Sequence, residues 1–198
     1  MKNLALVLAS QSPRRKALVK KFDVEVTLAS PNCDETLDLS QSFKESIMGL
    51  ALRKAKAVQN NYPNALILAA DTLVILDGKH LGKPKDHLDA KIMLKRLSGK
   101  THEVITGAVF VEGDQNVLFN SSAQVTFQVL DDEDIDDYIK SEEPFDKAGA
   151  YAIQGLGAKF VRSISGDYYA IMGLPVNKVH NALKCYKKGL LFSDCNSM

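Results

Sequence analysis

The sequence predicts an α/β protein built on a mixed β-sheet. Short apolar runs alternate with helix-period segments through the first half of the chain, a long two-stranded hairpin follows, and a helix closes the pattern. At 198 residues, 45% hydrophobic and 25% charged, the chain can bury a core unaided as a single domain of two lobes over 1–188, leaving a weakly ordered tail over 189–198.

Each element has its own signal. Leu4–Ala9 is wholly apolar, as suits a strand covered on both faces. Ser12 and Pro13 then open a basic helical stretch to about Phe22, and Val24–Ala29 alternates as a strand. Over Leu39–Gln59, Phe43, Ile47, Leu50, Ala51 and Val58 form one apolar stripe of a helix. Ala65–Leu76 reads as a strand ended by the hairpin signal Asp77-Gly78, and Asp86–Leu97 as a helix with Gly99 near its end. Val104–Val111 and Val117–Val129 are two strands turning near Gly113-Asp114. Asp131–Lys140 is an acidic-started helix, Phe145–Gly157 is Gly-rich and irregular, Lys159–Ile164 is a strand, and Pro175–Lys188 is the last helix.

Charge and cysteine usage exclude several classes. With 25 basic and 24 acidic side chains the net charge is +1, so no nucleic-acid or anionic-membrane partner is implied, and any bound anion needs local positive charge. Cys33, Cys185 and Cys195 are odd in number and form no CxxC, which suits a reducing compartment. No apolar run reaches the roughly 20 residues of a membrane span. Leu4–Ala9 is too short for a signal peptide, so the expected location is the cytoplasm.

Five features stand out as chemistry. In Ser10-Gln11-Ser12-Pro13-Arg14-Arg15, two arginines occupy a first helical turn where the dipole favours acids. An oligophosphate held by free N–H groups, the Ser10 and Ser12 hydroxyls and both guanidinium groups resolves that conflict; a solvent-facing basic turn is the alternative. Asp71 interrupts the apolar run Leu66–Leu76, where a carboxylate is costly unless it meets a cation or a metal; a strand ending early, with Asp71 capped, is the alternative. Lys54 falls on the apolar helix stripe, so it either snorkels outward or meets an anion. Lys83, in Gly82-Lys83-Pro84, is either a second ammonium for the same purpose or a plain turn lysine. Glu35, on the Asp34-Glu35-Thr36 loop, is a candidate second carboxylate beside Asp71, and the two with phosphate oxygens would suit Mg²⁺ or Mn²⁺. The four histidines have no zinc spacing.

These motifs, with Lys54-Ala55, Ala70-Asp71-Thr72, Leu97 through His102, Asp146 through Tyr151, Ile153-Gln154-Gly155 and Gly173-Leu174-Pro175, resemble the Maf family of nucleotide pyrophosphatases from Leu4 to about Lys184. The resemblance implies the inosine triphosphate pyrophosphatase fold: an elongated, bent mixed sheet with flanking helices and a cleft between two lobes. It implies hydrolysis between the α and β phosphates with a divalent metal, Mg²⁺ or Mn²⁺, and a homodimer. It makes Asp71 the catalytic base, Glu35 and Asp71 metal ligands, and Ser10, Arg14, Arg15, Lys54 and Lys83 phosphate contacts. Arg14, Thr72 and Gln154 correspond to the dTTP/UTP-specific type, against an aromatic residue, Gln and Glu in the 7-methyl-GTP type. The chemistry agrees, since an amide offers one donor and one acceptor to the O4 and N3–H edge of uracil or thymine. Two other readings stay open: a pyrophosphatase for 5-modified pyrimidine nucleotides, and a non-hydrolytic nucleotide-binding regulator of septum formation.

Overall fold

A computed structural model describes residues 5–189 of the chain. Leu4 and the predicted tail beyond 189 lie outside the described residues. The chain divides into two compact units, one of Met1–Asp71, Thr106–Ser121 and Gly173–Met198, the other of Thr72–Ile105 and Ser122–Met172. A seven-stranded mixed sheet supplies strands to both, so the predicted α/β class holds.

The first unit starts with β1 (Leu6–Ala9), buried along its whole length as its composition predicts. β1 pairs in parallel with β2 (Val26–Ala29) on one side and with β3 (Leu66–Leu76) on the other. Between β1 and β2 lies α1 (Pro13–Val19), capped by Ser12, with Pro13 in its first turn. It is shorter than the predicted run to Phe22. α2 (Phe43–Gln59) begins at Phe43 rather than Leu39. The Asp38 carboxylate accepts from the Ser40 backbone and the Gln41 side chain, which folds Leu39–Gln41 into a turn. Ser42 and Glu45 then close a capping box. The buried face of α2 joins Val7, Ala9, Ile67, Ala69, Val109 and Val111 in one core, through Ala51, Ala55 and Val58.

Small residues set how closely α2 approaches the sheet. A Cβ added at Gly107 would stand 2.8 Å from both the Ile47 carbonyl carbon and the Met48 nitrogen. Gly107 therefore lets the helix backbone rest directly on β5 (Thr101–Glu112).

In the second unit, β3 turns at Asp77-Gly78 into β4 (Lys79–Leu81), antiparallel to it. Both turn residues have positive φ, 51° and 71°, as a tight primed hairpin turn requires. Asp86 caps α3 (His87–Leu97), and Asp131 caps α4 (Asp132–Lys140), each accepting from the backbone three residues on. β6 (Gln115–Phe127) follows the predicted turn, and its end pairs antiparallel with β7 (Val161–Gly166). The Gly-rich stretch between α4 and β7 forms short 3-10 turns. A further short helix, α5 (Tyr168–Ile171), had no sequence signal; α6 (Val176–Lys187) closes the described chain in the first unit, one residue short of the predicted helix at each end.

The core of the second unit is aromatic. His102, Phe127 and Tyr151 meet edge to face with centroids 4.8 to 5.4 Å apart, and Phe160 packs against both Phe127 and Tyr138. The His102 Nε2 lies 2.8 Å from the Tyr151 hydroxyl, and its Nδ1 has no hydrogen-bond partner among the described residues. Burial penalises the imidazolium and pulls the pKa from 6.5 to about 4. The unfolded chain protonates this ring near 6.5 and the folded protein only near 4, so the contribution is whole above 6.5 and is lost as pH falls through 4. His102→Gln is expected to lose about 3 kcal/mol less stability than the native protein between pH 7 and pH 4. Urea unfolding at the two pH values measures this, and equal losses would refute it.

Candidate active site

The first unit gathers the charged residues singled out in its sequence. Ser10 follows β1 directly and is buried; its N–H donates to the Ala29 carbonyl, and its hydroxyl accepts from the Ser12 N–H at 3.2 Å. The Ser12 hydroxyl in turn accepts from the Arg15 N–H at 3.5 Å. Ser10 and Ser12 thus shape the entry to α1, which places Arg14 and Arg15 in its first turn with no acidic neighbour there.

Arg15 is buried rather than solvent-facing. Its Nε donates to the Gly173 carbonyl at 2.7 Å, and its guanidinium lies 3.8 Å from Asp71. Burial lowers the guanidinium pKa, Asp71 works against that effect, and Arg14 adds to it. The remaining fork faces the carboxylate, so the charge conflict of the first turn meets an acid within the protein.

Lys54 does not snorkel. It is only 7% exposed, and its ammonium lies against Asp71 and 3.0 Å from Glu35. Asp71 itself sits inside β3, which continues to Leu76, so the early strand end does not occur. α2 carries Lys54 on its buried face, and β3 carries Asp71. Glu35 comes from an exposed loop held to α2 by Arg53, whose guanidinium donates to the Asp34 and Thr36 carbonyls. The role of Arg53 had no sequence signal of its own, since it neighbours Lys54 but lies off the apolar stripe.

The remaining candidates lie in the second unit. Thr72 follows Asp71 in β3 and is half-buried. Lys83 is exposed on the turn after β4, where the preceding Gly82 carbonyl accepts from the Gly149 N–H at 3.0 Å. Gln154 is exposed on the loop between Tyr151 and Gly157.

The donor set permits a hard divalent cation without forming a complete cage. Glu35 and Asp71 converge on one ammonium and offer oxygen ligands, but among the described residues no group of three or more His, Cys, Asp or Glu is arranged to hold a metal. Two carboxylates leave most positions to water and phosphate oxygens, which is the usual manner of Mg²⁺ at nucleotide sites.

A half-buried acid flanked by an ammonium and a guanidinium, beside a first turn rich in cations, is an arrangement suited to an anionic ligand. The chain belongs to the Maf-like protein family, whose model matches residues 5–186. A dTTP/UTP pyrophosphatase of Bacillus mycoides is 46% identical over 179 residues, covering 90% of this chain and 94% of that one. Another from Symbiobacterium thermophilum is 46% identical over 173 residues, covering 87% and 89%. Among solved structures, a dITP/XTP pyrophosphatase of Mycobacterium abscessus overlaps 63% of this chain and 74% of its own, at 15% identity and a TM-score of 0.42. The Staphylococcus aureus Ham1 protein overlaps 62% and 71%, at 16% and 0.43.

Proposed function

We propose that this protein hydrolyses dTTP and UTP to the monophosphate and diphosphate. The observation that carries the reading is the Lys54 ammonium held between Asp71 and Glu35, with Arg15 facing the same aspartate. Cations that neutralise an oligophosphate stand there beside an acid able to act on water. The two relatives at 46% identity bear the name dTTP/UTP pyrophosphatase, which supports the same substrate class.

Arg14, Arg15 and Lys54 neutralise the phosphates, with Ser10 as a polar contact and Lys83 as the further cation the family resemblance implies. Asp71 orients or deprotonates the water that attacks phosphorus in line with the departing oxygen. Catalysis then consists chiefly of positioning and charge stabilisation. A divalent cation, Mg²⁺ or Mn²⁺, held by Glu35 and Asp71 would supply further charge neutralisation when bound. Arg14, Thr72 and Gln154 select the pyrimidine base. The protein acts as a homodimer in the cytoplasm; no helix among the described residues is long and apolar enough to cross a membrane.

The test is phosphate release with added inorganic pyrophosphatase, run over a nucleotide panel with Mg²⁺ or Mn²⁺. dTTP and UTP are expected to head the panel; 5-modified pyrimidine triphosphates at the head would shift the substrate, and no turnover would leave a binding protein. Gln154→Glu is expected to lower kcat/KM for dTTP and UTP by about 10-fold to 100-fold, as for one lost polar match, while sparing other nucleotides. An equal fall for every nucleotide would make Gln154 structural.

A further inference from the structure

Gln154 sits in a turn outside any helix or strand, followed by Gly155 and by a 3-10 turn that carries Gly157. Such a chain has no intrinsic reason to hold one side chain still. Beyond its own backbone hydrogen bonds, it is tied down by one carboxylate and the tyrosine bonded to it. The Glu143 Oε2 accepts from the Leu156 N–H at 3.0 Å, and its Oε1 accepts from the Gly157 N–H at 3.1 Å. The Tyr138 hydroxyl donates to the same Oε1 at 2.8 Å and accepts from the Ala152 N–H at 3.1 Å.

The loop is therefore pinned on both sides of Gln154, at Ala152 before it and at Leu156 and Gly157 after it. The fit is tight. A Cβ at Gly155 would stand 2.0 Å from the Glu143 Oε2, and one at Gly157 would stand 2.9 Å from the Tyr138 hydroxyl. The backbone wraps onto the carboxylate as closely as only glycine permits. Burial pushes the Glu143 carboxyl up, but the Gly157, Leu156 and Tyr138 donors and the charge of Lys147 together hold it below the ordinary glutamate value. Burial first, and Glu143 second, push the Tyr138 hydroxyl up, so it remains a donor.

We propose that Glu143 is the positioning residue for base selection, acting through the loop it ties to hold the Gln154 amide in place for the pyrimidine edge. This rests on the reading of Gln154 as the base-reading residue. Glu143 touches neither phosphate nor water in this role, so its loss acts on base recognition and not on the chemical step.

The experiment is steady-state kinetics of Glu143→Gln, Gln154→Ala and the double variant with dTTP, UTP and GTP. Glu143→Gln keeps the shape but turns one acceptor into a donor facing an N–H. It is expected to raise KM for dTTP and UTP about 10-fold, with kcat within about twofold and GTP unchanged. In the Gln154→Ala background the same substitution is expected to add less than about twofold, because the group it positions is gone. Full additivity in the double variant, or an equal fall in kcat for all three nucleotides, would overturn the proposal while leaving Gln154 its role. If Gln154→Ala alone left dTTP and UTP untouched, the reading of Gln154 would fail and this inference with it. Should Glu143→Gln not fold, Tyr138→Phe removes one of the three donors to the carboxylate and is expected to raise KM for dTTP and UTP about threefold, again only where Gln154 is present; no change, or a change shared by GTP, would overturn the proposal.

Discussion

Asp71→Asn is expected to leave a folded protein whose dTTP and UTP turnover falls by about 10²- to 10⁴-fold, the usual worth of a positioned base. Asparagine is nearly isosteric and can accept from Lys54 through its carbonyl, so the strand and its packing survive. What it lacks is a negative charge between Lys54 and Arg15 and a site for a proton. The fall belongs in kcat, because the phosphates still meet Arg14, Arg15 and Lys54. Single-turnover hydrolysis with a melting curve on the same sample decides the matter. A folded variant with near-native turnover would remove Asp71 from the chemistry.

Gly107→Ala is expected to destabilise the protein by about 3 kcal/mol, near the upper end for an overpacked core. In a chain of this length that corresponds to a melting temperature lower by roughly 6–12 °C. The reason is the identity of what a methyl group would strike: backbone atoms of Ile47 and Met48, which cannot rotate aside as a side chain can. α2 would have to lift from β5. Lys54, two turns further along the same helix, would then leave its place beside Asp71, so activity should drop with stability. Thermal unfolding followed by circular dichroism is the measurement, and an unchanged midpoint would show that the helix yields easily.

Much of this was legible in the chain before any coordinates. The apolar run of β1, the Asp77-Gly78 turn and the Ser12-Pro13 helix start are local signals, written within a few residues, and the structure keeps each. The start of α2 is also written locally, in Ser42 and Glu45, and the helix begins at Phe43, the first residue of the apolar stripe, rather than at the expected Leu39, which is exposed. The site was legible only as separate anomalies. Lys54 on an apolar stripe and Asp71 in an apolar strand are each costly alone, and only tertiary packing cancels one with the other. The Glu143 tie was not legible at all. Its signal is a glutamate beside a proline in an irregular stretch, and its meaning depends on backbone N–H groups more than ten residues away.

The pairing of Lys54 with Glu35 and Asp71 also bears on what happens at the end of a catalytic cycle. The Lys54 ammonium is already met by Asp71 and Glu35, so on the proposed assignment an incoming triphosphate does not fill a charge deficit there; it trades places with carboxylates. After cleavage the trade runs backward. Each departing diphosphate or monophosphate carries less charge than the triphosphate did, and Asp71 and Glu35 stand ready to reclaim the ammonium. On the proposed assignment, carboxylates that compete for the ammonium would lower affinity for every phosphate ligand and speed the departure of the products most.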